Sequence, residues 1–133
     1  LKNGTSNLII KDLNSSVSDF EKINLNDVVS LRDSIGKEFI PGRVENSYMI
    51  TEKEYLPYIS YQTVNGFEAI ETRGTWEVKG DYMGGPFINY IIKDTLNKSL
   101  LYVEGFVFSP SQRKRDKMIE LEAVIKSMVI RKR

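Results

Sequence analysis

The sequence has no cysteine and no histidine among its 133 residues. Without them there is no Cys nucleophile, no Ser-His-Asp triad, no zinc site of the Cys/His type and no His-ligated haem. A chain without Cys fits a reducing or an oxidising compartment alike, so this absence does not place the protein. Charge of one sign is missing too. Nineteen Lys and Arg stand against eighteen Asp and Glu, for a net charge of +1. No global field therefore argues for a nucleic-acid partner, and none is expected. No apolar run approaches the length of a membrane span, and no signal-peptide pattern opens the chain. It starts at Leu1 rather than Met, which leads us to expect a processed or trimmed piece of something longer. The missing N-terminal part would carry the targeting signal or lipid anchor.

What is present is the composition of a globular domain, with 41% hydrophobic and 28% charged residues. The length suits one domain spanning residues 1–133, able to bury roughly two-thirds of its unfolded surface in one core. Leu8-Ile9-Ile10 reads as a short strand. Ser15 and Ser16 precede Val17, Phe20 and Ile23, which have helical spacing over a short segment. From Asn26, Val28, Leu31 or Arg32, Ile35 and Phe39 recur at three- and four-residue steps, giving a helix with one apolar stripe. Asn24 or Asn26 can cap it, and Pro41-Gly42 ends it. A short strand is expected around Tyr48 to Ile50.

After Pro57 the period changes to two. Strands are expected over Tyr58 to Val64, Phe67 to Val78, Phe87 to Asp94 and Leu100 to Phe108. The turns fall at Asn65-Gly66, at Gly80-Asp81, and from Thr95 to Ser99. Ser109, Pro110 and Gln112 form a capping box ahead of a last helix, whose apolar face is Met118, Leu121, Val124, Ile125 and Met128. Glu122 and Lys126 form an i,i+4 pair on it. The fold class is α+β: a four-stranded antiparallel meander with a C-terminal helix and an N-terminal helix packed on it.

Alternation sorts the strand faces. Leu101, Val103, Gly105 and Val107 share a face with Ile88, Tyr90 and Ile92, and Ile70, Gly74, Trp76 and Val78 are expected to join them under the last helix. The other face would hold Glu71, Arg73, Phe87, Asn89, Ile91, Tyr102, Glu104 and Phe106. It carries too much apolar surface for a solvated face, so the helix Asn26–Phe39 is expected to cover it. Arg73 is expected to pair with Glu104, Glu71 or both, because an unpaired buried charge costs several kcal/mol. Glu71, Arg73, Asn89 and Glu104 are thus one candidate cluster, structural or ligand-facing.

Met83-Gly84-Gly85-Pro86 opens a strand. With Tyr82 and Trp76 it is the candidate partner-contact motif, and its structural reading is a bulge or tight corner. A bulky residue at Gly85 is expected to weaken partner capture without unfolding the domain. Arg113-Lys114-Arg115 sits where a helix start disfavours positive charge, which invites an anionic partner, although neighbouring acids also suit a solvated face. No pair of carboxylates stands out by spacing for acid–base work. No catalytic residue, cofactor or metal site is expected, and the chain is not expected to be an enzyme.

Three segments carry a resemblance: IPGRVENSYMITE (Ile40–Glu52), AIETRGTWEVKGDYMGGPFINYIIKD (Ala69–Asp94) and VEGFVFSPSQRKRDKMIELEAVI (Val103–Ile125). In this order the chain resembles a family of Bacteroidota cell-envelope lipoproteins, the domain-of-unknown-function family numbered forty-eight thirty-seven. The resemblance implies a periplasmic or outer-membrane location through a lipid-bearing Cys outside this chain, and a C-terminal part of a longer lipoprotein. It brings no catalytic residues. The meander closed by a helix also looks, in its layers only, like the extrinsic proteins of photosystem II and their Mog1-like relatives. The expected function is therefore a non-enzymatic accessory or scaffolding subunit of a membrane-associated assembly, with a protein partner in the envelope. The alternative is a small-ligand-binding domain using the face around Arg73 and Glu104.

Overall fold

Alternating apolar and polar residues set the strands, and two amphipathic helices cover the sheet they form. The computed structural model describes residues 5–43, 45–78, 81–108 and 114–133. In chain order these form β1 (Thr5–Asp12), a 3-10 turn (Val17–Lys22), α1 (Leu25–Phe39), β2 (Met49–Thr51), β3 (Tyr58–Val64), β4 (Phe67–Val78), β5 (Asp81–Asp94), β6 (Ser99–Phe108) and α2 (Lys114–Ser127). The capping residues Ser109, Pro110 and Gln112 expected for α2, and Gly80 of the turn before β5, lie outside the described residues.

The meander β3–β4–β5–β6 is present, but the sheet is six-stranded, not four-stranded. Its order is β1-β6-β5-β4-β2, with β3 also paired to β4. β1 pairs antiparallel with β6 along its whole length, from Thr5↔Phe108 to Asp12↔Leu101. β6 is buried on both faces, so its outer row of backbone N–H and C=O groups needs a partner, and the early strand supplies it. The far edge of β4 is shared end to end. β3 takes Phe67 to Arg73, and β2 takes Trp76 to Val78. The chain leaves the edge between them, held by Glu52 N–H donating to the Thr75 carbonyl at 2.8 Å. The β3–β4 turn is Asn65-Gly66 as expected, with φ of 51° and 85°, the positive values a two-residue hairpin turn requires.

Asn24 caps α1. Its side chain accepts from Asp27 N–H at 2.9 Å, and Asp27 accepts from Asn24 N–H at 2.9 Å, a reciprocal capping box. The helix turns Val28, Arg32 and Ile35 onto one face of the sheet. There Val28 and Ile35 pack with Phe20, Ile70, Ile91, Leu100 and Tyr102. α2 covers the opposite face, where Ile125 packs with Ala69, Ile88, Tyr90, Ile92 and Val103. Of its expected apolar stripe, Leu121 and Ile125 are buried and Val124 is exposed. The helix–sheet–helix layering is as expected, but β4 contributes the other parity. Ile70 lies opposite Ile91, and Trp76 opposite Gly85. Ile70, Gly74, Trp76 and Val78 therefore face α1, while Glu71 and Arg73 face α2. A one-residue slip in assumed register inverts every side chain of a strand, and that is the origin of the difference.

The most consequential residue of α1 is Arg32, 1% exposed within the apolar stripe. Its guanidinium holds Glu104 of β6 by two bonds, at 2.5 and 2.8 Å. It also donates to the Thr51 hydroxyl of β2 and lies 3.5 Å over the Phe87 ring. Glu104 further accepts from Asn89 at 3.1 Å and Tyr102 at 2.9 Å. Burial works against the Arg32 charge, but Glu104 outweighs it and holds Arg32 above its ordinary value. Burial, reinforced by Glu104, pushes the Tyr102 hydroxyl well up, so it stays a donor.

After α2 the chain returns to the β5–β6 turn. Arg133 ion-pairs with Asp12 at 2.7 Å, and its N–H donates to Asn97 at 2.7 Å. The Ser99 hydroxyl donates to Asp12 at 2.5 Å.

Arg32→Met alone should destabilise the fold by about 3–5 kcal/mol in urea unfolding, because it strands a buried carboxylate. Adding Glu104→Leu should recover part of that loss. A double variant no better than the single would contradict this account. Asp12 is held below its ordinary value of 3.8, first by the Ser99 hydroxyl and then by the Asn14 N–H. A depressed folded-state value stabilises above the unfolded one, and that contribution is lost as pH falls through the lowered folded value. Urea midpoints should therefore fall with acidification below about pH 4, and Asp12→Asn should flatten that slope.

Candidate functional site

α2 rests on β6 and β5, and Lys114 and Arg115 of its first described turn border a hollow at one end of the sheet. Beyond that turn, on the same face, lie Thr75 and Glu77 of β4, with Pro86 and Gly84 opposite them on β5. The hollow is open, has a volume of about 800 Å³ and is lined by Glu52, Thr75, Trp76, Glu77, Met83, Gly84, Gly85, Pro86, Lys114, Arg115 and Met118. Its lining combines strand backbone, two methionines, a proline and charges of both signs.

The sequence motif therefore lies in this hollow, though not as a loop. Met83, Gly84, Gly85 and Pro86 belong to β5, paired to β4, with a register shift between Glu77 and Val78. That irregularity agrees with the structural reading of a bulge at this end of the sheet. Tyr82 belongs to β5 as well, but its side chain lies outside what the structure describes. Trp76 serves mainly the core. It is 3% exposed, donates its indole N–H to the Val107 carbonyl at 3.1 Å and meets Phe106 edge-on at 5.7 Å.

Gly85 is a folding position. A Cβ there would stand 2.0 Å from the Val107 carbonyl oxygen and 3.1 Å from the Trp76 indole nitrogen, so backbone would have to move. The expectation that a bulky residue at Gly85 leaves folding intact does not survive this geometry.

Of the lining residues, Lys114, Arg115 and Met118 had signals in the sequence, as a basic run and an apolar helix face. Nothing linked them to Met83–Pro86. Glu52, Thr75 and Glu77 were not singled out, since β2's pairing with the end of β4 is what brings Glu52 there.

The second candidate cluster is divided between the two sheet faces. Asn89 and Glu104 lie under α1 with Arg32, and Asn89 and Glu104 are both 0% exposed. Glu71 and Arg73 lie under α2. Arg73 bonds Glu71 at 2.8 Å and Glu122 of α2 at 2.6 Å. Glu71 also accepts from the Tyr90 hydroxyl at 2.6 Å, and Lys126 completes the group on Glu122 at 3.0 Å. Arg73 thus pairs with Glu71 as expected but not with Glu104, whose cation is Arg32. Burial tends to raise the Glu122 carboxyl, yet Lys126 and Arg73 outweigh it and hold it below its ordinary value. Burial pushes the Tyr90 hydroxyl well up, and its bond to Glu71 adds to the effect. Among the described residues no group of three or more acidic side chains converges as a metal site would require.

A family model described as a domain of unknown function (DUF4837) matches residues 1–127. No curated protein and no solved structure matches the chain.

Gly85→Ala should lower stability by about 1–3 kcal/mol through overpacking against β6, read as a shifted thermal midpoint. Unchanged stability would return Gly85 to the list of contact residues.

Proposed function

The chain belongs to the DUF4837 family, and from the geometry of its groove we propose that it is a non-enzymatic binding domain of a cell-envelope lipoprotein. In this reading it is an accessory or scaffolding subunit of a membrane-associated assembly, tethered by a lipid anchor outside this chain. It holds a protein partner in the groove beside Met83–Pro86. The observation that carries the reading is the hollow itself, where sheet surface beside α2 lies next to charges of both signs that, among the described residues, form no ion pair. Met118 on its wall suits a surface that adapts to what it binds. The envelope location is supported by the resemblance of the three ordered segments to envelope lipoproteins.

The ligand-binding alternative around Arg73 and Glu104 is less well supported. Those residues face opposite sides of the sheet, and the Glu104 group is sealed beneath α1.

A photo-crosslinking residue at exposed Thr75, placed in the full-length protein in its native membranes, tests the proposal. One partner protein should crosslink there and not from a control position at exposed Leu96 in the β5–β6 turn. The same products from both positions, or none from Thr75, would contradict it.

A further inference from the structure

The groove has a chemistry specific enough to describe its occupant. Its floor is strand backbone at Thr75–Glu77 and Gly84–Pro86. Gly84 brings no side chain to the open face and Pro86 brings a flat ring, so an apolar group can lie close to the sheet. Met118 of α2 flanks the floor with an unbranched thioether chain that repacks around such a group, while Met83 leans on the Trp76 and Phe106 cluster of the other face.

The walls differ in sign. On the helix side stand Lys114 and Arg115, both exposed. On the β4 side stand Glu77 and, from the turn after β2, Glu52. Among the described residues, the ion pairs of the fold involve neither Lys114, Arg115 nor Glu77. Among the described residues, the Glu52 carboxylate accepts from the N–H groups of Glu54 and Tyr55. Opposite charges therefore face one hollow without neutralising each other.

We propose that the groove takes an extended segment of a protein partner in which an apolar side chain is flanked by an acidic residue on one side and a basic residue on the other. The acid meets Lys114 and Arg115, the apolar group lies on Gly84–Pro86 beside Met118, and the base meets Glu77 and Glu52. This rests on the groove being the capture site proposed above. A peptide can present both signs a few ångströms apart. A uniformly anionic surface, such as a membrane of acidic lipids, would gain Lys114 and Arg115 but be repelled by Glu52 and Glu77.

The test uses random peptides displayed on phage and selected on the immobilised chain, with phosphatidylglycerol vesicles as a second probe. Enriched peptides should share the acid–apolar–base pattern. The double variant Lys114→Glu/Arg115→Glu should bind them about tenfold more weakly, two exposed pairs being worth that much together. Glu77→Lys should abolish selection for the basic residue while the acidic preference stays. These positions lie on the surface, so the variants should keep the parent's thermal midpoint. Peptides that bind in the groove without the charge pattern would overturn this inference but leave the groove as capture site. Binding of vesicles and not peptides would replace it with membrane docking. If no peptide is enriched, the inference falls, while the Thr75 crosslink decides separately whether the groove captures a partner.

Discussion

The buried pair between Arg32 and Glu104 is the interaction on which the rest of the structure depends. Two charges taken out of water are costly, and only a nearly complete set of bonds offsets that cost. Here the set draws on four elements. Arg32 comes from α1, Thr51 from β2, Phe87 and Asn89 from β5, and Tyr102 and Glu104 from β6. A sliding helix or a slipped register would leave a charge stranded, so the network selects one arrangement of helix and strands. Thr51 carries the constraint onward, because it sits opposite Trp76 on β4. The next residue, Glu52, then bonds Thr75 and becomes part of the groove wall. The position of the groove thus traces back to a salt bridge it never touches.

The other face has a looser counterpart. Arg73, Glu71, Tyr90 and Glu122 tie α2 to the sheet, but Arg73 is 39% exposed in its side chain. Solvent screens such a group, and exposed pairs of this kind contribute little to stability. The two faces therefore do different work. The α1 side is locked by sealed charges and apolar packing, whereas α2 is held by Leu121, Ile125 and a half-exposed ionic edge. The groove opens on the α2 side, next to Met118.

Much of the fold was legible because its signals are local. The asparagine cap of α1, the Asn65-Gly66 turn and the spans of β3, β4 and β6 follow from residues a few positions apart. β5, expected from Phe87, begins instead at Asp81, because its Gly84-Gly85-Pro86 step reads as a break rather than as strand. Long-range pairing was not legible in the same way. Leu8-Ile9-Ile10 read as a strand, but nothing in those residues says that β6 is its neighbour, and the short strand at Met49–Thr51 gives no sign of β4. The parity of β4 failed for a related reason. Its sequence alternates small, charged and apolar residues on both faces, so periodicity alone did not say which set points to which helix. That parity decides the partner of Glu104. Arg32 was weighed only as an alternative to Leu31 in the helix stripe, because a charge at a core position declares itself only once its carboxylate is seen. For the groove, Met83–Pro86 and the basic run were each visible, while their meeting depends on where α2 begins over the sheet.

The claim that the buried network positions the groove is tested most directly by amide hydrogen exchange on Thr51→Val. This change removes the hydroxyl that Arg32 bonds and keeps the side-chain shape. The account predicts lost protection at Met49–Thr51 and Trp76–Val78, with the β3–β4 hairpin from Tyr58 to Arg73 unchanged. Protection that stays the same everywhere, or falls evenly across the sheet, would contradict it.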